Sequence, residues 1–396
     1  MTERHFSTAA VRAGIDSDTA FGAVSPPIVL SSNFTFAGFN QKRAYDYSRS
    51  GNPTRDQLGD AIAELEGGCG AVVTASGLAA ETLVLHTILK PGDKLLVPHD
   101  CYGGSWRLFD ALAKRGHFEL LTVDFTDRDA LTAALAEKPS LVWIETPSNP
   151  LLRITDLRAT IAAAQAAGAL TIVDNTFLSP ALQQPIRFGA DLVLHSTTKY
   201  INGHSDVVGG AVVARDEAVL EQLAWWANAL GLTGSPFDSF LTLRGLRTLP
   251  ARVRLHQENA EEVAALLDAH PAVAAVHYPG LASHPGHALA KAQQLGFGGM
   301  ISFELTGGEN AVRAFVEGLR CFSLAESLGG VESLIAHPAT MTHAAMSPEA
   351  QERAGIGPGL LRLSVGIEDV ADLLADVRDG LERTSAQQDV VQRRYA

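Results

Sequence analysis

The sequence predicts an α/β fold with a mostly parallel central sheet, followed by a smaller α+β unit. From about residue 60, short apolar segments rich in Val, Ile and Leu alternate with segments that carry the end signals of helices. Strands that are apolar along their whole length are typical of a parallel sheet covered by helices on both faces. The chain also has 396 residues, which is long enough for a large domain and a second one.

Residues 1–60 differ from the rest of the chain. They are rich in Ser, Thr, Asn, Pro and Arg and show little periodicity, as in "SPPIVLSSNFTF" and "YDYSRSGNPTR". This composition indicates an extended arm rather than a domain. An arm with aromatic and arginine side chains must pack on another surface, so we expect it to contact a neighbouring subunit.

Residues 61–255 are predicted to form the large domain. The pair Pro91-Gly92 stops one of its helices, while Asp156 caps another and Gly168 ends it. In chain order, the quoted strand and helix segments are "AVVT", "LAAETLVLHTILK", "KLLVP", "GSWRLFDALAKRG", "FELLTVD", "DRDALTAALAE", "SLVWIETP", "LTIVDNT", "DLVLHSTTK" and "GGAVVAR".

Residues 256–396 are predicted to form the smaller domain, with the boundary near residues 245–260. A long helical stretch, "RLHQENAEEVAALLDAH", follows "PFDSFLTLRGLRTLPARV". Beyond it, "GMISFEL", "NAVRAFVEGL", "LLRLSVG" and "DVADLLADVRDGLER" alternate between strand and helix patterns.

The charge balance restricts the partners of the protein. Lys and Arg number 31 against 44 Asp and Glu, which gives a net charge of −13 and disfavours nucleic acid and anionic membranes. No apolar stretch approaches the ~20 residues of a membrane helix, and the N-terminus lacks the apolar core of a signal peptide.

The three cysteines, Cys69, Cys101 and Cys321, are too scattered for a disulfide framework. Reduced thiols in a cytoplasmic protein are therefore expected.

Three strand ends carry polar residues, at the edge of the sheet where ligands bind. "LTIVDNT" contains Asp174 at its strand end, "DLVLHSTTK" ends in Lys199, and "AVVTASGLAA" places Ser76 and Gly77 before a helix. Taken singly, each has an ordinary structural explanation: a helix-capping aspartate, a surface lysine and a strand-to-helix turn. The spacing fits neither a P-loop nor a dinucleotide-binding fingerprint.

Taken together, these residues indicate pyridoxal 5'-phosphate as the cofactor. A lysine can form a Schiff base with its aldehyde, and a buried carboxylate can keep its pyridine nitrogen protonated. A helix N-terminus, with Ser196 and Thr198, can hold the phosphate. Burial would also lower the pKa of the lysine and keep its amine neutral.

Two further sets of residues allow more than one interpretation. Tyr102, in "DCYGGSWRLF", follows a strand end and could stack on the cofactor ring, although it could also be a core aromatic. Four histidines lie near these motifs, but their neighbours lack metal-ligand spacing, so no metal site is predicted. These histidines are His195, His204, His337 and His343.

The motifs resemble those of the cysteine/methionine-metabolism family of pyridoxal-phosphate enzymes. This resemblance implies fold type I, the fold of aspartate aminotransferase, and it covers essentially the whole chain. The motifs that carry it are "YSRSGNPTR", "SGLAA", "DCYGGSWRLFDALAKRG", "ETPSNPLL", "VDNTFLSPALQQP", "HSTTKYINGHSDVVGG", "AWWANALGLTGSPFDSFLTLRGLRTL", "SLAESLGGVESLIAHPATMTH" and "LLRLSVGIED".

The resemblance assigns the cofactor-binding residues. It implies that Lys199 anchors the cofactor and shuttles protons, that Asp174 partners the pyridine nitrogen and that Tyr102 stacks on the ring. Tyr47 and Arg49 would reach the phosphate from a neighbouring subunit, so active sites would be shared across a dimer, within a homotetramer formed as a dimer of dimers. The remaining phosphate ligands would be Ser76, Gly77, Leu78, Ser196 and Thr198.

The resemblance also assigns the substrate-binding residues. Arg362 would pair with the substrate α-carboxylate, since a guanidinium matches a carboxylate bidentately, and Asn149 and Ser327 would assist it. Two departures from the family pattern are Leu78, where many members carry Met, and Ser50, where some carry a second Arg. The candidates for the distal carboxylate and for an incoming amino group are Arg107, Arg43, Glu326 and Asp46.

Within the family, "DCYGGSWRLFDALAKRG" and "AWWANALGLTG" favour the γ-synthases. The resemblance then implies γ-replacement of O-succinylhomoserine with cysteine, which gives cystathionine and succinate in methionine biosynthesis. The alternatives are a γ-lyase that cleaves cystathionine or an O-acylhomoserine sulfhydrylase, which would share Lys199, Asp174 and Arg362. A cofactor-binding protein without catalysis is disfavoured because it would not need a proton-shuttling lysine.

Overall fold

The computed structural model describes residues 4–344 and 346–395, with the side chains of the last helix described as far as residue 385. Its main feature is a seven-stranded, mostly parallel sheet flanked by helices and joined to a second sheet of five strands. The α/β fold class predicted from the sequence is therefore confirmed. Among the described residues, no helix combines the length and apolar composition needed to span a membrane.

The N-terminal arm has little regular structure after its first helix, α1 (Phe6–Arg12). Residues 13–52 form turns and two isolated bridges, Asn33 with Tyr47 and Gly38 with Gln41. Several large apolar side chains of the arm are exposed on the single chain, among them Phe21 and Phe39. The contact of this arm with a neighbouring subunit stays a prediction.

The arm joins the large sheet through α2 (Pro53–Glu66), and buried Asn52 forms the connection. Its side-chain oxygen accepts hydrogen bonds from the backbone N–H groups of Thr54 (2.9 Å) and Arg55 (3.3 Å), which caps the helix. Its amide nitrogen donates to the carbonyl oxygen of Val29 at 2.9 Å. One side chain therefore holds both the helix start and the arm.

The large sheet has the strand order β1-β7-β6-β5-β4-β2-β3. Strand β7 runs antiparallel to both of its neighbours, and the other pairs are parallel. The strands are β1 (Gly70–Thr74), β2 (Lys94–Pro98), β3 (Glu119–Val123), β4 (Leu141–Glu145), β5 (Leu170–Asp174), β6 (Leu192–His195) and β7 (Gly210–Ala214).

Helices cover both faces of this sheet because its strands are apolar on both sides. On one face, Leu83, Phe109 and Leu223 pack against Trp143, and the rings of Phe109 and Trp143 lie 5.0 Å apart between centroids. The predicted cap of Asp156 is present, since its carboxylate accepts from the N–H of Ala159. The helices are α3 (Gly77–Ile88), α4 (Gly103–Lys114), α5 (Arg128–Ala136), α6 (Leu157–Ala166), α7 (Ser179–Leu182), α8 (Glu217–Leu230) and α9 (Pro236–Leu246), with a 3₁₀ turn at Pro185–Phe188.

Helix α10 (Leu249–Asp268) packs on both parts of the molecule. Near its start, Leu249 and Val253 lie in a cluster with Tyr200, next to the large sheet. Near its end, Val263 and Leu267 belong to the core of the second sheet. The expected boundary between residues 255 and 256 falls inside this helix, and the division into domains stays a prediction.

The second sheet has the order β10-β11-β12-β9-β8. Its apolar face, with Phe303 and the helix residue Phe315, forms a separate core. Its strands and helices are β8 (Val273–His277), β9 (Met300–Leu305), β10 (Ser323–Leu324), β11 (Leu334–Ala336), β12 (Leu360–Ser364), α11 (His287–Gln293), α12 (Gly308–Val316), α13 (Pro348–Ala354) and α14 (Val370–Tyr395).

Candidate active site

A cavity of about 510 Å³ lies where the carboxyl ends of the parallel strands meet segments of the second sheet. Ligands of open parallel sheets bind at this edge. The residues predicted from the sequence that line it are Ser76, Gly77, Leu78, Tyr102, Arg107, Asn149, Asp174, Ser196, Thr198, Lys199, Glu326, Ser327 and Arg362.

Lys199 lies in the turn that follows β6, and its side chain enters the cavity. Its Nζ atom donates a hydrogen bond to Oγ of Ser327 at 2.6 Å. Burial lowers the pKa of Lys199 to about 8, the positive charge of Arg362 lowers it as well, and Glu326 acts in the opposite direction. A substantial fraction of the amine is therefore neutral and nucleophilic near this pH.

Asp174 is the last residue of β5, and its carboxylate accepts a hydrogen bond from the N–H of Thr176 at 2.9 Å. Burial raises its pKa, while the Thr176 hydrogen bonds and nearby His195 lower it. None of the ion pairs formed by the described residues includes Asp174. A partly buried carboxyl group in this position is suited to a ligand with a protonated ring nitrogen.

The start of α3, where the sequence predicts a phosphate site, lines the cavity. Ser76 caps this helix by accepting a hydrogen bond from the N–H of Ala79 at 3.0 Å. A Cβ atom on Gly77 would lie 3.0 Å from Cβ of Ser196, so the helix start lies against the turn after β6. Free N–H groups of the first helical turn and the hydroxyls of Ser196 and Thr198 therefore border one end of the cavity.

Tyr102 lies on the cavity wall, 41% exposed, which disfavours its interpretation as a core aromatic. It precedes α4, and its backbone N–H donates to Oε2 of Glu145 at 2.9 Å. A Cβ atom at Gly104 would lie 2.4 Å from Cε1 of Tyr102, so glycine is needed where the ring folds back over the helix. The ring is thus held at the edge of the cavity.

Arg362, on β12, is buried and has no carboxylate in direct contact among the described ion pairs. Its Nη1 donates to Oδ1 of Asn149 at 2.9 Å, and its Nη2 donates to the carbonyl oxygen of Ser327 at 3.0 Å. Burial lowers its pKa to about 10, yet the guanidinium remains protonated at neutral pH. A buried, oriented cation of this kind is suited to a carboxylate ligand.

The residues predicted from the arm do not line the cavity of their own chain. Asp46 pairs with Lys42, with 3.0 Å between Oδ2 and Nζ. Arg49 donates through Nη1 to the carbonyl oxygen of Asn228 at 2.7 Å, and its Cζ lies 5.5 Å from the ring centroid of Tyr47. Arg43 is likewise an exposed arm residue. Their part in a neighbouring subunit's site stays a prediction.

Two buried carboxyl groups of the cavity, Glu81 and Glu145, were not predicted from the sequence. Burial raises the pKa of Glu81 to about 8 and also raises the pKa of Glu145. A signal was available for both: Glu81 is a single acid in the apolar helix "GLAAETLVL", and Glu145 ends the apolar strand "LVWIE". Both residues could have been found from the apolar residues around them in the helix and the strand, without any motif.

The histidines considered as metal ligands make structural contacts instead. Nε2 of His195 lies 2.6 Å from Oε1 of Glu66, and both residues are fully buried. Nε2 of His343 lies 3.2 Å from the carbonyl oxygen of Asn149. Within the part of the chain that the structure describes, no group of three or more His, Cys, Asp or Glu residues could hold a metal ion.

Comparison with known proteins places these features in a family. The family model described as "Cys/Met metabolism PLP-dependent enzyme" matches residues 7–382. The cystathionine gamma-synthase of Escherichia coli K12 is 58% identical over 377 residues, which cover 95% of this chain and 98% of that enzyme. A cystathionine beta-lyase of Lactococcus lactis subsp. cremoris is 48% identical over 376 residues, with 95% and 98% covered.

A solved structure is similar over almost the whole chain. The cystathionine gamma synthase of Xanthomonas oryzae pv. oryzae, in complex with aminoacrylate and cysteine, has a TM-score of 0.97 and 72% identity, covering 97% of this chain and 100% of that one. The same enzyme in complex with cystathionine matches equally well. The matched residues 7–382 include both sheets and the whole cavity wall. The chain therefore belongs to the family of pyridoxal-phosphate-dependent enzymes of cysteine and methionine metabolism.

Proposed function

We propose that the protein catalyses γ-replacement, in which the thiol of cysteine displaces succinate from the γ-carbon of O-succinylhomoserine to form cystathionine. The observation that carries this proposal is the 72% identity to an enzyme solved in two complexes, one with aminoacrylate and cysteine and one with cystathionine. Identity at this level, with a TM-score of 0.97, extends through the elements that form the cavity. The sequence resemblance favours succinyl as the acyl group.

The residues that line the cavity match the functional groups of pyridoxal phosphate. Lys199 would hold the aldehyde covalently, Asp174 would face the ring nitrogen, and Tyr102 would cover the ring. The phosphate would lie at the start of α3, bound by Ser76, Gly77, Leu78, Ser196 and Thr198. When bound, the cofactor withdraws electrons from the amino acid's α-carbon, which makes the proton on that carbon acidic.

Lys199 is the group that moves protons in this proposal. Its lowered pKa leaves the amine free to accept the proton from the substrate α-carbon and to return it later. Oγ of Ser327 accepts a hydrogen bond from Nζ at 2.6 Å and can orient the amine when it is free. Tyr102 borders the same space and is a second candidate for proton transfer.

Arg362 would bind the α-carboxylate of the amino acid, because it is the buried cation of this wall. Asn149 fixes the plane of the guanidinium through its bond to Nη1. Arg107 would bind the distal carboxylate of the succinyl group, and Glu326 would bind the amino group of the incoming cysteine. Asp46, from the arm of a neighbouring subunit, would assist with that amino group.

We extend the proposal to the assembly. Tyr47 and Arg49 would bind the phosphate in a neighbouring subunit, within a homotetramer built as a dimer of dimers. Support comes from the arm, whose exposed Phe21 and Phe39 need a surface to pack on and whose cations lie outside the cavity of their own chain.

We also propose a large domain of residues 61–255 and a small domain of residues 256–396. A cytoplasmic location agrees with the three free cysteines.

A lyase that cleaves cystathionine is the second candidate. The 48% identity to a cystathionine beta-lyase favours it over the sulfhydrylase alternative. Lys199, Asp174 and Arg362 would serve a lyase equally well, because proton removal and carboxylate binding are common to both reactions.

One assay separates these candidates. The purified enzyme is given O-succinylhomoserine with cysteine, O-succinylhomoserine alone, or cystathionine alone. Cystathionine, 2-oxobutyrate and pyruvate are measured, because γ-cleavage of cystathionine releases 2-oxobutyrate and β-cleavage releases pyruvate. We expect cystathionine from the first mixture, with slow or no breakdown of cystathionine in the third. Rapid breakdown of cystathionine without any condensation would reject the γ-replacement proposal.

A further inference from the structure

Glu81 is a buried acid in the wall of the cofactor cavity with no place in the proposed reaction. It lies in α3, which starts at the predicted phosphate site, and only 3% of its surface is exposed. Its Oε1 accepts a hydrogen bond from Oγ of Ser105 on α4 at 2.8 Å. Its Oε2 is buried and has no hydrogen-bond partner among the described residues. Such an oxygen is costly unless a ligand or a proton satisfies it.

Apolar packing surrounds the remainder of the helix. Ala80, Leu83 and Val84 lie in a core cluster with residues of β6, β7 and α8, which include Leu194 and Leu223. A contact between α3 and α4 could be made by an apolar side chain at position 81 without burying a carboxyl group. Packing alone therefore gives no physical reason for an acid at this position.

Most ionisable neighbours of Glu81 also line the cavity, and Cys101 lies beside it. Burial raises the pKa of Glu81 to about 8, the Ser105 hydrogen bond opposes the rise, and the charge of Asp174 adds to it. In turn, the charge of Glu81 acts on Glu145 from β4 and on Cys101 and Tyr102 before α4. Glu81 and Asp174 line the same cavity, and the charge of Asp174 acts on the Glu81 carboxyl group.

We propose that Glu81 is a positioning residue for the cofactor and acts on the ring nitrogen through Asp174. The Glu81 side chain is neutral while it keeps its proton, and it adds a second negative charge to the site once it ionises. The inference rests on the proposed function only in requiring the cofactor to lie with its ring nitrogen towards Asp174. It holds equally for γ-replacement and for a lyase reaction.

The physical consequence follows from the two charge states. While Glu81 is neutral, Asp174 can carry the negative charge that pairs with a protonated ring nitrogen. When Glu81 ionises, two neighbouring carboxylates repel, and the proton affinity of Asp174 and of the ring nitrogen beside it increases. The environment of the ring nitrogen should therefore change with pH in step with Glu81.

The test is the ¹⁵N resonance of the ring nitrogen in holoenzyme loaded with ¹⁵N-labelled pyridoxal phosphate, followed across pH. The parent is compared with Glu81→Gln, which keeps the shape and a partner for Ser105 but cannot ionise. The imine nitrogen that Lys199 forms with the cofactor is present in both proteins, so only a transition that differs between them is assigned to Glu81. We expect the resonance of the parent to show a pH transition that Glu81→Gln lacks, so that the difference between the two resonances changes with pH. A difference that stays constant across pH would overturn the proposal.

Ser105→Ala supplies a second, independent measurement, which also serves if Glu81→Gln does not fold. Removal of the Ser105 hydroxyl removes the hydrogen bond that favours the charged form of Glu81. The midpoint of the ring-nitrogen transition should then move to higher pH than in the parent. An unmoved midpoint would contradict the role of Glu81. The γ-replacement assay on the parent tests the proposed function separately, because it does not depend on this titration.

Discussion

At the scale of single residues, the cavity brings together charges that are costly to bury without partners. Arg362 is a buried cation with only neutral oxygens as direct hydrogen-bond partners, and Asp174 is a carboxyl group outside every described ion pair. Lys199 lies close enough to Arg362 for its pKa to fall. Unsatisfied charges of both signs in one cavity indicate a zwitterionic ligand and a cationic ring, which together satisfy them.

The pH dependence of cofactor attachment follows from Lys199. Only the neutral amine attacks an aldehyde, so the rate at which the cofactor-free protein takes up pyridoxal phosphate should rise with pH and level off above about pH 8. Stopped-flow absorbance measures this rate. Glu326 raises the pKa of Lys199, so Glu326→Gln should move the profile to lower pH. A profile that moves to higher pH, or Lys199→Ala protein that still attaches the cofactor covalently, would contradict the assignment.

Replacement of the carboxylate-binding cation gives a second prediction. Arg362→Lys keeps the charge but loses the planar fork and its bond to Asn149, so KM for the amino-acid substrate should rise roughly 30- to 150-fold, or about 2–3 kcal/mol. Steady-state kinetics measure the change, and the visible spectrum of the bound cofactor should be retained as evidence of folding. An unchanged KM with a lowered kcat would place the substrate carboxylate elsewhere.

At the scale of elements, helix starts and strand ends position the site. The turn after β6 presents Lys199, the start of α3 presents Gly77, and β12 from the second sheet presents Arg362. Each element is held by its own packing or capping, so a side chain at its end has a defined direction. The arm is also held in a defined position, because Asn52 hydrogen-bonds both to the arm and to the start of α2.

Removal of the Asn52 side chain should destabilise the protein more than removal of an ordinary helix cap. Asn52→Ala loses two capping bonds and the bond to Val29 in a buried position, so its free energy of unfolding should fall by about 2–4 kcal/mol. The matched control is Asp127→Ala, which removes the exposed cap of α5 and should cost about 0.5–1 kcal/mol. Urea unfolding measures both, and equal losses would show that Asn52 is only a helix cap.

At the scale of the whole molecule, the cavity exists because two sheets and their connecting segments meet. The large sheet supplies Asp174 and the turn after β6 supplies Lys199, while the second sheet supplies Arg362 on β12 and Ser327 between β10 and β11. Helix α10 packs on both sides of this junction. The candidate cofactor ligands of the arm lie outside the cavity of their own chain, so we expect them to act in a neighbouring subunit.

Subunit mixing tests whether the arm completes a neighbouring site. Arg49→Ala and Lys199→Ala proteins should each be nearly inactive, but a mixed dimer would contain one site with intact Lys199 and intact Arg49. Refolding an equal mixture should therefore restore about one quarter of the parent activity, since half of the dimers are mixed and each has one intact site. No recovery, with mixed dimers demonstrated by tagged subunits, would show that Arg49 acts within its own chain.

The sequence predicted the cofactor-facing residues because their positions follow from local patterns. Apolar strands that end in Asp174 and Lys199, and a strand followed by Ser76 and Gly77, define one edge of a parallel sheet. Glu81 was missed because its interest depends on burial and on the bond to Ser105, and these pair residues from two separate helices. No local pattern records such a pairing.

The sequence by itself determined the alternation of strands and helices, the parallel sheet and, through its motifs, the family. These features depend on periodicity and on residue types at element ends, which act over a few neighbouring positions. Only the tertiary structure decided that Arg362 lies against Asn149 and that Glu81 is buried beside Asp174. The reason is physical: burial, which sets the cost of each charge and the direction of each pKa, depends on residues distant in the chain that packing brings together.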